Sequence, residues 1–336
     1  IFSLGKKINY EKNLMEKVLV TGSEGFIGGY IVKELLDKGY KVIGIDNLSK
    51  YGKVVRNHSD DKNYEFHSGD VKDETFLFNL LKDCDYLIAG AAMIGGISYF
   101  HDFAYDLLSE NEKIISTTTD MAIKCQDKYK LKRTIFLSSS MVFESSNIFP
   151  TKEEDLFNIP PPESSYGFQK LAVEYFASSA NLQYGLEYSI ARPFNCVGIG
   201  EVKSLNSTES ANEKKLTLSH VVPDLIIKAL EGKDYIEILG DGNQIRHYTY
   251  GEDLALGIVT LLKHPNAKNE DFNLSTNEST KVIDFAPLLA DSNPMIPVPE
   301  NKSQTELKLN NLIESNMLFL TRDFVGLYER FLLVLI

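Results

Sequence analysis

Short runs of apolar and β-branched residues alternate with longer segments whose apolar positions recur at helical spacing. The runs at 17–21 and 41–46 are typical of strands, and the segment from Phe26 to Lys38 between them is typical of a helix that ends at Gly39. The same pattern predicts further strands at 64–67, 86–89, 134–138 and 188–192, and helices at 73–82, 104–129 and 166–184. Such alternation is typical of βαβ units. The chain is therefore predicted to be an α/β protein with a doubly wound parallel (Rossmann) sheet.

The alternation becomes irregular after Arg192. The remaining pattern predicts a polar loop or insertion at 201–215, helices at 220–230 and 252–263, strands at 236–239 and 272–274, and a turn at 241–243. A smaller, turn-rich region of this kind is typical of a substrate-binding cap. We therefore predict an extension at 1–14, a Rossmann domain at 15–195 to which 246–265 return, and a smaller C-terminal cap made of 196–245 and 266–336.

The composition excludes several classes of protein. The 336 residues are 43% hydrophobic and 24% charged, and the formal net charge of −12 comes without a linear basic patch, which argues against a nucleic-acid partner. No run approaches the roughly 18 apolar residues of a membrane span. The three cysteines, Cys84, Cys125 and Cys196, lie far apart and lack the spacing of metal ligands. We expect no metal site, no disulfide framework and a reducing cytoplasm.

Three glycines stand between the first strand and the first helix at G-x-x-G-x-x-G spacing: Gly22, Gly25 and Gly28. Glycines let the backbone approach a pyrophosphate closely, and the N-terminus of the following helix stabilises its charge. Asp46 ends the second strand, where a carboxylate accepts hydrogen bonds from an adenosine ribose and repels a 2′-phosphate. The pattern predicts NAD rather than NADP, although three cations follow in the next loop, Lys50, Lys53 and Arg56.

Two further strand ends complete the predicted cofactor site. Asp70 and Val71 follow the third strand, where the Asp70 carboxylate can bind the exocyclic amine of adenine. Ala91 follows the fourth strand, where it can face the nicotinamide half of the cofactor. Without the glycine motif, either feature would be typical of an ordinary strand end.

Tyr166 and Lys170 lie four residues apart in a predicted helix, so that a phenol and an ammonium group share one face. A cation at that distance is expected to lower the pKa of the tyrosine. Ser139 lies at the end of a serine-rich strand, where its hydroxyl can bind the same substrate hydroxyl. The pattern predicts that Tyr166 is a general base. Taken alone, such a pair is also typical of a solvated helix face.

Six motifs carry a resemblance to a known family: TGSEGFIG at 21–28, DNLS at 46–49, SSSMVF at 138–143, YGFQK at 166–170, ARPFNCVG at 191–198 and DGNQIRHYTYGEDLA at 241–255. From about Lys17 to about Leu274 the chain resembles the extended short-chain dehydrogenases/reductases that are NAD-dependent nucleotide-sugar epimerases and dehydratases. The resemblance implies a catalytic set of Ser139, Tyr166 and Lys170. It also implies that the last two contact the cofactor together with Phe26, Ile27, Asn47 and Asn111, and that a nucleotide-diphosphate sugar is held by Ser139, Ser140, Asn195 and Arg246.

The residues after Ser139 favour one reaction within that family. Ser140 and Met141 stand where 4,6-dehydratases have their acid and base, which disfavours dehydration. The segment AAMIGGI at 91–97 resembles GDP-mannose 3,5-epimerases, but these use a cysteine at the position of Met141, which disfavours 3,5-epimerisation unless another residue serves as the base. C4 epimerisation through a transient 4-keto sugar remains. The alternatives are an NAD(P)H-dependent 4-ketosugar reductase, a UDP-uronic acid decarboxylase, and a dinucleotide-binding sensor or scaffold without activity.

The two long predicted helices carry more apolar positions than one buried stripe needs. These positions are Tyr105, Leu108, Ile115 and Met121 in the first helix and Leu171, Tyr175, Phe176 and Leu182 in the second. Together with the family resemblance they predict a homodimer built on these helices. Beyond Asn277 the chain loses the family's pattern, so the sequence identifies neither the sugar nor the nucleotide.

Overall fold

The computed structural model describes residues 15–94, 103–201, 221–230, 238 and 240–285. Its strands are β1 (Lys17–Thr21), β2 (Lys41–Asp46), β3 (Tyr64–Ser68), β4 (Tyr86–Ala89), β5 (Arg133–Leu137), β6 (Tyr188–Pro193), β7 (Cys196–Val197), β8 (Ile245–Arg246), β9 (Thr249–Tyr250), β10 (Glu270–Leu274) and β11 (Thr280–Lys281). Its α-helices are α1 (Phe26–Asp37), α2 (Glu74–Leu81), α3 (Ala104–Lys128), α4 (Ser165–Tyr184), α5 (Val221–Leu230) and α6 (Gly251–Thr260). The predicted elements in these ranges are confirmed, with ends that differ by at most three residues.

Seven strands form one sheet in the order β10-β6-β5-β4-β1-β2-β3. Every pairing within it is parallel. The carboxyl ends of the strands therefore meet at one edge, where Thr21 lies beside both Ile45 and Ala89 in the register. The predicted Rossmann arrangement is confirmed, and this edge is where such sheets bind their ligands.

The two faces of the sheet are covered by different helices, because alternate residues of a strand point to opposite faces. Val18 and Val20 of β1 pack with residues of α1 and α6, whereas Leu19 packs in a second cluster with residues of α2, α3 and α4. The second cluster includes Ile115 and Met121, which are 5% and 7% exposed. The prediction that these two side chains contribute to a dimer face is wrong, since the protein's own core takes them up.

A third, smaller apolar cluster lies among residues assigned to the cap and to the returning segment: Val197, Val222, Leu225, Ile226, Tyr248, Val282 and Phe285. Two short strand pairs accompany it, β7 with β9 and β8 with β11. The predicted extension, most of the polar stretch at 201–215, most of the strand at 236–239 and the tail beyond 285 lie outside the described residues. The division into domains therefore stays a prediction. None of the described helices is long and apolar enough to cross a membrane.

Candidate active site

The glycine loop joins β1 to α1 and is fixed to the neighbouring strands. Gly22 has a φ of +74°, a conformation that favours glycine, and its N–H donates to the Ile45 carbonyl at 2.7 Å. A Cβ at Gly28 would lie 2.0 Å from the Gly22 oxygen, so a side chain there would collide with the loop backbone. Gly25 precedes α1 and supplies no side-chain cap. The loop thus combines close backbone packing with a helix N-terminus whose first N–H groups have no capping side chain.

Phe26 and Ile27 open α1 and point into the protein. Phe26 is 7% exposed and its ring lies edge-on to Tyr30, with 5.6 Å between the ring centroids. Ile27 packs against the cluster that α1 shares with α6. What these two residues offer a ligand is therefore their backbone N–H groups.

Asp46 ends β2 directly beside the glycine loop. Its Oδ2 accepts a hydrogen bond from the Glu24 N–H at 3.1 Å and its Oδ1 accepts one from the Leu48 N–H at 2.8 Å. Burial raises the pKa of this carboxyl, and the two backbone donors oppose that rise. The neighbouring Asn47 is exposed, and its Oδ1 accepts from the Ser49 N–H. The carboxylate is thus held in one orientation at the predicted ribose position.

Arg56 braces the glycine loop from outside, which the sequence analysis did not predict. Its Nη2 donates to the Glu24 carbonyl at 2.7 Å and to the Gly25 carbonyl at 3.0 Å. The Glu24 carboxylate lies 3.9 Å from Arg56 Nε and accepts a 2.7 Å hydrogen bond from the Tyr64 hydroxyl. Lys50, another of the three cations, stands 4.8 Å from the Tyr51 ring centroid, and burial lowers its pKa. Arg56 therefore forms its hydrogen bonds with the glycine loop of the protein itself.

The other predicted cofactor positions lie along the same edge of the sheet. The Gly69 N–H donates to the Asp46 carbonyl at 3.1 Å, which places Asp70 next to β2. The Asp70 carboxylate accepts from the Lys72 N–H at 2.9 Å, whereas Val71 is 5% exposed in the core. The Ala91 N–H donates to the Thr21 hydroxyl at 3.1 Å, and a Cβ on Gly22 would lie 3.0 Å from the Ala91 Cα.

Asn111 on α3 is 1% exposed and binds the segment after β4 at two points. Its Oδ1 accepts from the Met93 N–H at 2.7 Å, and its Nδ2 donates to the Met93 carbonyl at 2.9 Å. Both ends of the amide are thus used by one backbone unit. The contact fixes the strand end near Ala91 and indicates a supporting role rather than direct binding.

The predicted catalytic residues meet where β5 ends and α4 begins. Ser139 follows β5 and caps the short 3-10 helix Ser140–Phe143, its hydroxyl accepting from the Met141 N–H at 3.2 Å. Tyr166 is hydrogen-bonded to Ser139. The Lys170 ammonium is 5.8 Å from the centroid of the Tyr166 ring and donates to the Leu137 carbonyl at 2.9 Å. The structure therefore brings Ser139, which follows β5, together with Tyr166 and Lys170 of α4.

The pKa of Tyr166 is raised, whereas the sequence predicted that the neighbouring cation would lower it. Burial raises the pKa of Tyr166, and the hydrogen bond with Ser139 opposes the rise only in part. Burial lowers the pKa of Lys170 to about 8, against the opposing effect of Glu174. The expected lowering of the tyrosine pKa is absent because the Lys170 ammonium donates to the Leu137 carbonyl, and because the Tyr166 and Lys170 side chains both lie in low-dielectric surroundings.

The residues predicted to bind the sugar nucleotide lie further apart from one another than the catalytic residues do. Ser140 is half-buried in the 3-10 helix. Asn195 has a φ of +36°, and its side chain donates to the His247 carbonyl at 3.3 Å, linking the end of β6 to the segment before β9. Arg246 is exposed on β8 and donates to the Ile245 carbonyl. This hydrogen bond does not join Arg246 to Ser139 or Tyr166.

A buried ion pair behind the catalytic residues was also missed. Arg192 of β6 is 2% exposed and binds Glu174 of α4 through two hydrogen bonds of 2.8 and 2.7 Å. Glu174 stands four residues after Lys170, the same spacing that singled out Tyr166 with Lys170. That spacing places Glu174 on the same helix face as Lys170. The sequence does not indicate that Arg192 of β6 pairs with it, because this contact depends on the fold.

The NAD-dependent epimerase/dehydratase family matches residues 18–275 of the chain. A putative UDP-glucose 4-epimerase of Methanocaldococcus jannaschii is 32% identical over 267 residues, which cover 79% of this chain and 78% of the relative. The structure of UDP-glucose 4-epimerase from Thermotoga maritima with UDP-glucose matches with a TM-score of 0.69 and 27% identity, covering 84% of each chain. The structure of UDP-glucuronic acid 4-epimerase from Bacillus cereus with UDP-glucuronic acid and NAD matches with a TM-score of 0.67 and 25% identity, covering 82% of each chain.

Proposed function

The chain belongs to the NAD-dependent epimerase/dehydratase family, and we propose that it catalyses the C4 epimerisation of a nucleotide-diphosphate hexose. NAD is its cofactor. The observation that carries the proposal is the meeting of Ser139, Tyr166 and Lys170 at the carboxyl edge of the sheet that also holds the glycine loop. A proton acceptor beside a hydride acceptor is what reversible oxidation of an alcohol requires.

The residues at the glycine loop fit a dinucleotide. The space that side chains would fill at Gly22 and Gly28 is closed by neighbouring backbone, while the N-terminus of α1 lacks a capping side chain and can bind the pyrophosphate. A carboxylate has about four acceptor positions, so Asp46 can still accept ribose hydroxyls besides its two backbone donors. The proposed cofactor-binding set is Gly22, Gly25, Phe26, Ile27, Gly28, Asp46, Asn47, Asp70, Val71, Ala91, Tyr166 and Lys170, with Asn111 in support.

The engagement of Arg56 supports NAD over NADP. An arginine binds a 2′-phosphate through free N–H donors, but the Nη2 of Arg56 already donates to two loop carbonyls and its Nε faces the Glu24 carboxylate. Asp46 adds a second negative charge at the predicted ribose position. A phosphate placed there would have to displace this arginine from the loop and approach two carboxylates.

When bound, NAD would supply the hydride acceptor for C4 of the sugar. Inversion then requires the 4-keto sugar to turn in the site, so that the hydride returns to its other face. Tyr166 takes the proton of the C4 hydroxyl and gives it back when the ketone is reduced. Ser139, which is hydrogen-bonded to Tyr166, orients that hydroxyl. The Tyr166 phenolate needs a nearby positive charge because burial opposes its ionisation. Protonated Lys170, with its ammonium 5.8 Å from the tyrosine ring centroid, supplies that charge.

Ser140 and Met141 support epimerisation over dehydration. They occupy the 3-10 helix that Ser139 caps, immediately after Ser139 in the sequence. Neither side chain carries a carboxyl group that could protonate a leaving hydroxyl or remove a C5 proton. We propose that Ser140 binds the sugar, while Asn195 and Arg246 hold the diphosphate.

The function is tested by incubating the purified protein with UDP-, GDP- and dTDP-hexoses without added cofactor and following the C4 epimers by NMR. Similarity to structures that contain UDP-glucose and UDP-glucuronic acid makes UDP the first nucleotide to test. We expect interconversion of one epimer pair, and acid extraction should release near-stoichiometric NAD(H). A protein that is purified empty and consumes NAD(P)H with a 4-keto sugar would instead be a reductase.

We also propose a homodimer built on α3 and α4. Tyr105, Tyr175 and Leu182 are 80%, 66% and 87% exposed on these helices. Exposed side chains of this size on adjoining helices are typical of a subunit interface. Light scattering at micromolar concentration tests the proposal, and a fully active monomer would contradict it.

A further inference from the structure

A network of buried polar side chains lies directly behind the catalytic residues. Glu174 follows Lys170 by about one turn of α4 and is 6% exposed. Its Oε1 accepts hydrogen bonds from the Ser138 hydroxyl at 2.6 Å and from Arg192 Nε at 2.8 Å, and its Oε2 accepts from Arg192 Nη2 at 2.7 Å. Glu174 therefore joins α4 to the ends of both β5 and β6.

Ser138 connects this network to the catalytic serine. It immediately precedes Ser139, and its N–H donates to the Ala191 carbonyl at 2.8 Å. Its hydroxyl lies 2.6 Å from Glu174 and 3.4 Å from the Lys170 carbonyl. The position of Ser139 relative to the helix turn that carries Lys170 is thus set by the contacts of its neighbour. Catalytic geometry is sensitive to displacements of this kind.

The charges in the network balance. Arg192 lies between two carboxylates, since its Nη1 is 2.5 Å from the Asp271 Oδ2 on the side away from Glu174. Its guanidinium also stacks 5.2 Å from the centroid of Phe143 in the 3-10 helix. The network together with Lys170 contains two cations, Arg192 and Lys170, and two carboxylates, Glu174 and Asp271. Removing one buried partner from such a group leaves an uncompensated charge, which is costly.

The charged and titratable groups around Lys170 come from three elements. Tyr166 and Glu174 flank it on α4, Arg192 of β6 stands behind Glu174, and Asp271 of β10 lies behind Arg192. The Leu137 carbonyl of β5 accepts the ammonium hydrogen bond but carries no net charge. Among these groups, Glu174 is the carboxylate that favours the protonated form of Lys170.

We propose that Glu174 is a positioning residue of this active site, which keeps Lys170 cationic and, through Ser138, keeps Ser139 aligned with Tyr166. Arg192 holds the Glu174 carboxylate in place through its two hydrogen bonds. The expected effect of Glu174 on kcat rests on the proposed function. The titration of Lys170 can be measured without any substrate.

The test is Glu174→Gln, which keeps the shape of the side chain and removes its charge. We expect kcat to fall about tenfold or more with KM changed less than about twofold, and the alkaline limb of the kcat profile to move to lower pH by about one unit or more. The direction follows because an ammonium that loses a negative neighbour deprotonates more readily. NAD content should stay unchanged. The pKa of Lys170, measured by pH-dependent acetylation and peptide mass spectrometry, should move the same way.

Asp271→Asn is the matched comparison, because it removes the other carboxylate from the same arginine. It should lower the unfolding temperature but leave the Lys170 titration within about 0.3 unit of that of the unmutated protein. Equal Lys170 shifts in both variants, or no shift in Glu174→Gln, would overturn the proposal.

Ser138→Ala keeps the proposal testable if Glu174→Gln does not fold. This smaller change should lower kcat at unchanged KM without moving the Lys170 titration, because the charge remains. A Ser138→Ala enzyme with unaltered kcat would contradict the alignment role. If the unmutated protein converts no C4 epimers, the proposed function fails, and the Lys170 titrations still decide the role of Glu174.

Discussion

Gly28→Ala would place a methyl group where the structure has no room for one. The added Cβ would lie 2.0 Å from the Gly22 oxygen and 2.9 Å from the Gly22 carbonyl carbon. Both atoms belong to the backbone of the glycine loop, so no side-chain rotation can relieve the collision. The same Gly22 oxygen accepts the Gly25 N–H at 3.1 Å, and its displacement would also loosen the turn before α1.

Gly28→Ala is expected to lower the free energy of unfolding, because the cost of overpacking exceeds the gain in helix propensity. Alanine gains about 0.8–1 kcal/mol over glycine in a helix interior, whereas overpacking costs about 1–3 kcal/mol and occasionally more. Here the loop would have to withdraw by about 1 Å to restore the shortest tolerated contact of 3.0 Å, so we expect the upper part of that range. The net loss of unfolding free energy is then about 1–2 kcal/mol before any loss of bound cofactor, which lowers the apparent stability further.

Gly257→Ala is the control, since it makes the same substitution in α6 with 3.4 Å to the nearest atom, the Leu274 Cδ2. We expect it to be neutral or stabilising by up to about 1 kcal/mol. The two variants should differ in the Tm of the cofactor-free protein by about 2 °C or more. Acid extraction should find NAD(H) in Gly257→Ala and little in Gly28→Ala. Equal Tm values and equal cofactor contents would refute the packing argument.

Three further outcomes are expected. Tyr166→Phe should lower turnover by about 10²–10⁴-fold while the protein keeps its NAD, because only the ionisable oxygen is lost; unchanged interconversion of C4 epimers by NMR would rule out the mechanism. Arg246→Ala should raise KM by about tenfold to a hundredfold, the equivalent of roughly 1.5–3 kcal/mol of charge-assisted hydrogen bonding, with NAD still bound; steady-state kinetics with an unaltered KM would exclude a diphosphate contact. Leu182→Glu places a charge on a side chain that is 87% exposed, and should shift the dimer towards monomer in light scattering with little change in Tm; an unaltered dimer would move the interface elsewhere.

The sheet and the glycine loop were predictable because their signals are local. β1 and β2 are runs of buried apolar residues, and Gly22, Gly25 and Gly28 lie within seven residues of each other. The spacing of these residues alone predicts the two strands and the turn between β1 and α1. Their elements therefore appeared at the predicted positions, with differences only at the ends, where strands and helices depend on their neighbours.

The supporting residues were not predictable in the same way. Arg56 reaches the glycine loop across a sequence separation of 31 and 32 residues, and Arg192 reaches Glu174 across 18. No periodic pattern links such positions before the strands are assembled. Ile115 and Met121 illustrate the converse, since an apolar stripe on α3 does not say whether the protein's own sheet or a second subunit covers it.

The spacing of Tyr166, Lys170 and Glu174 makes α4 sensitive to length in a way that single substitutions do not reveal. The three side chains share one helix face because they recur every four residues, and inserting or deleting one residue between them rotates all that follows by about 100° about the helix axis. A deletion at Phe168, whose side chain is 49% exposed, would thus turn Lys170 and Glu174 away from Leu137 and Arg192. Related chains should therefore vary freely in residue type at Phe168 and conserve the number of residues between 166 and 174, so that gaps in this segment mark proteins that have lost the activity.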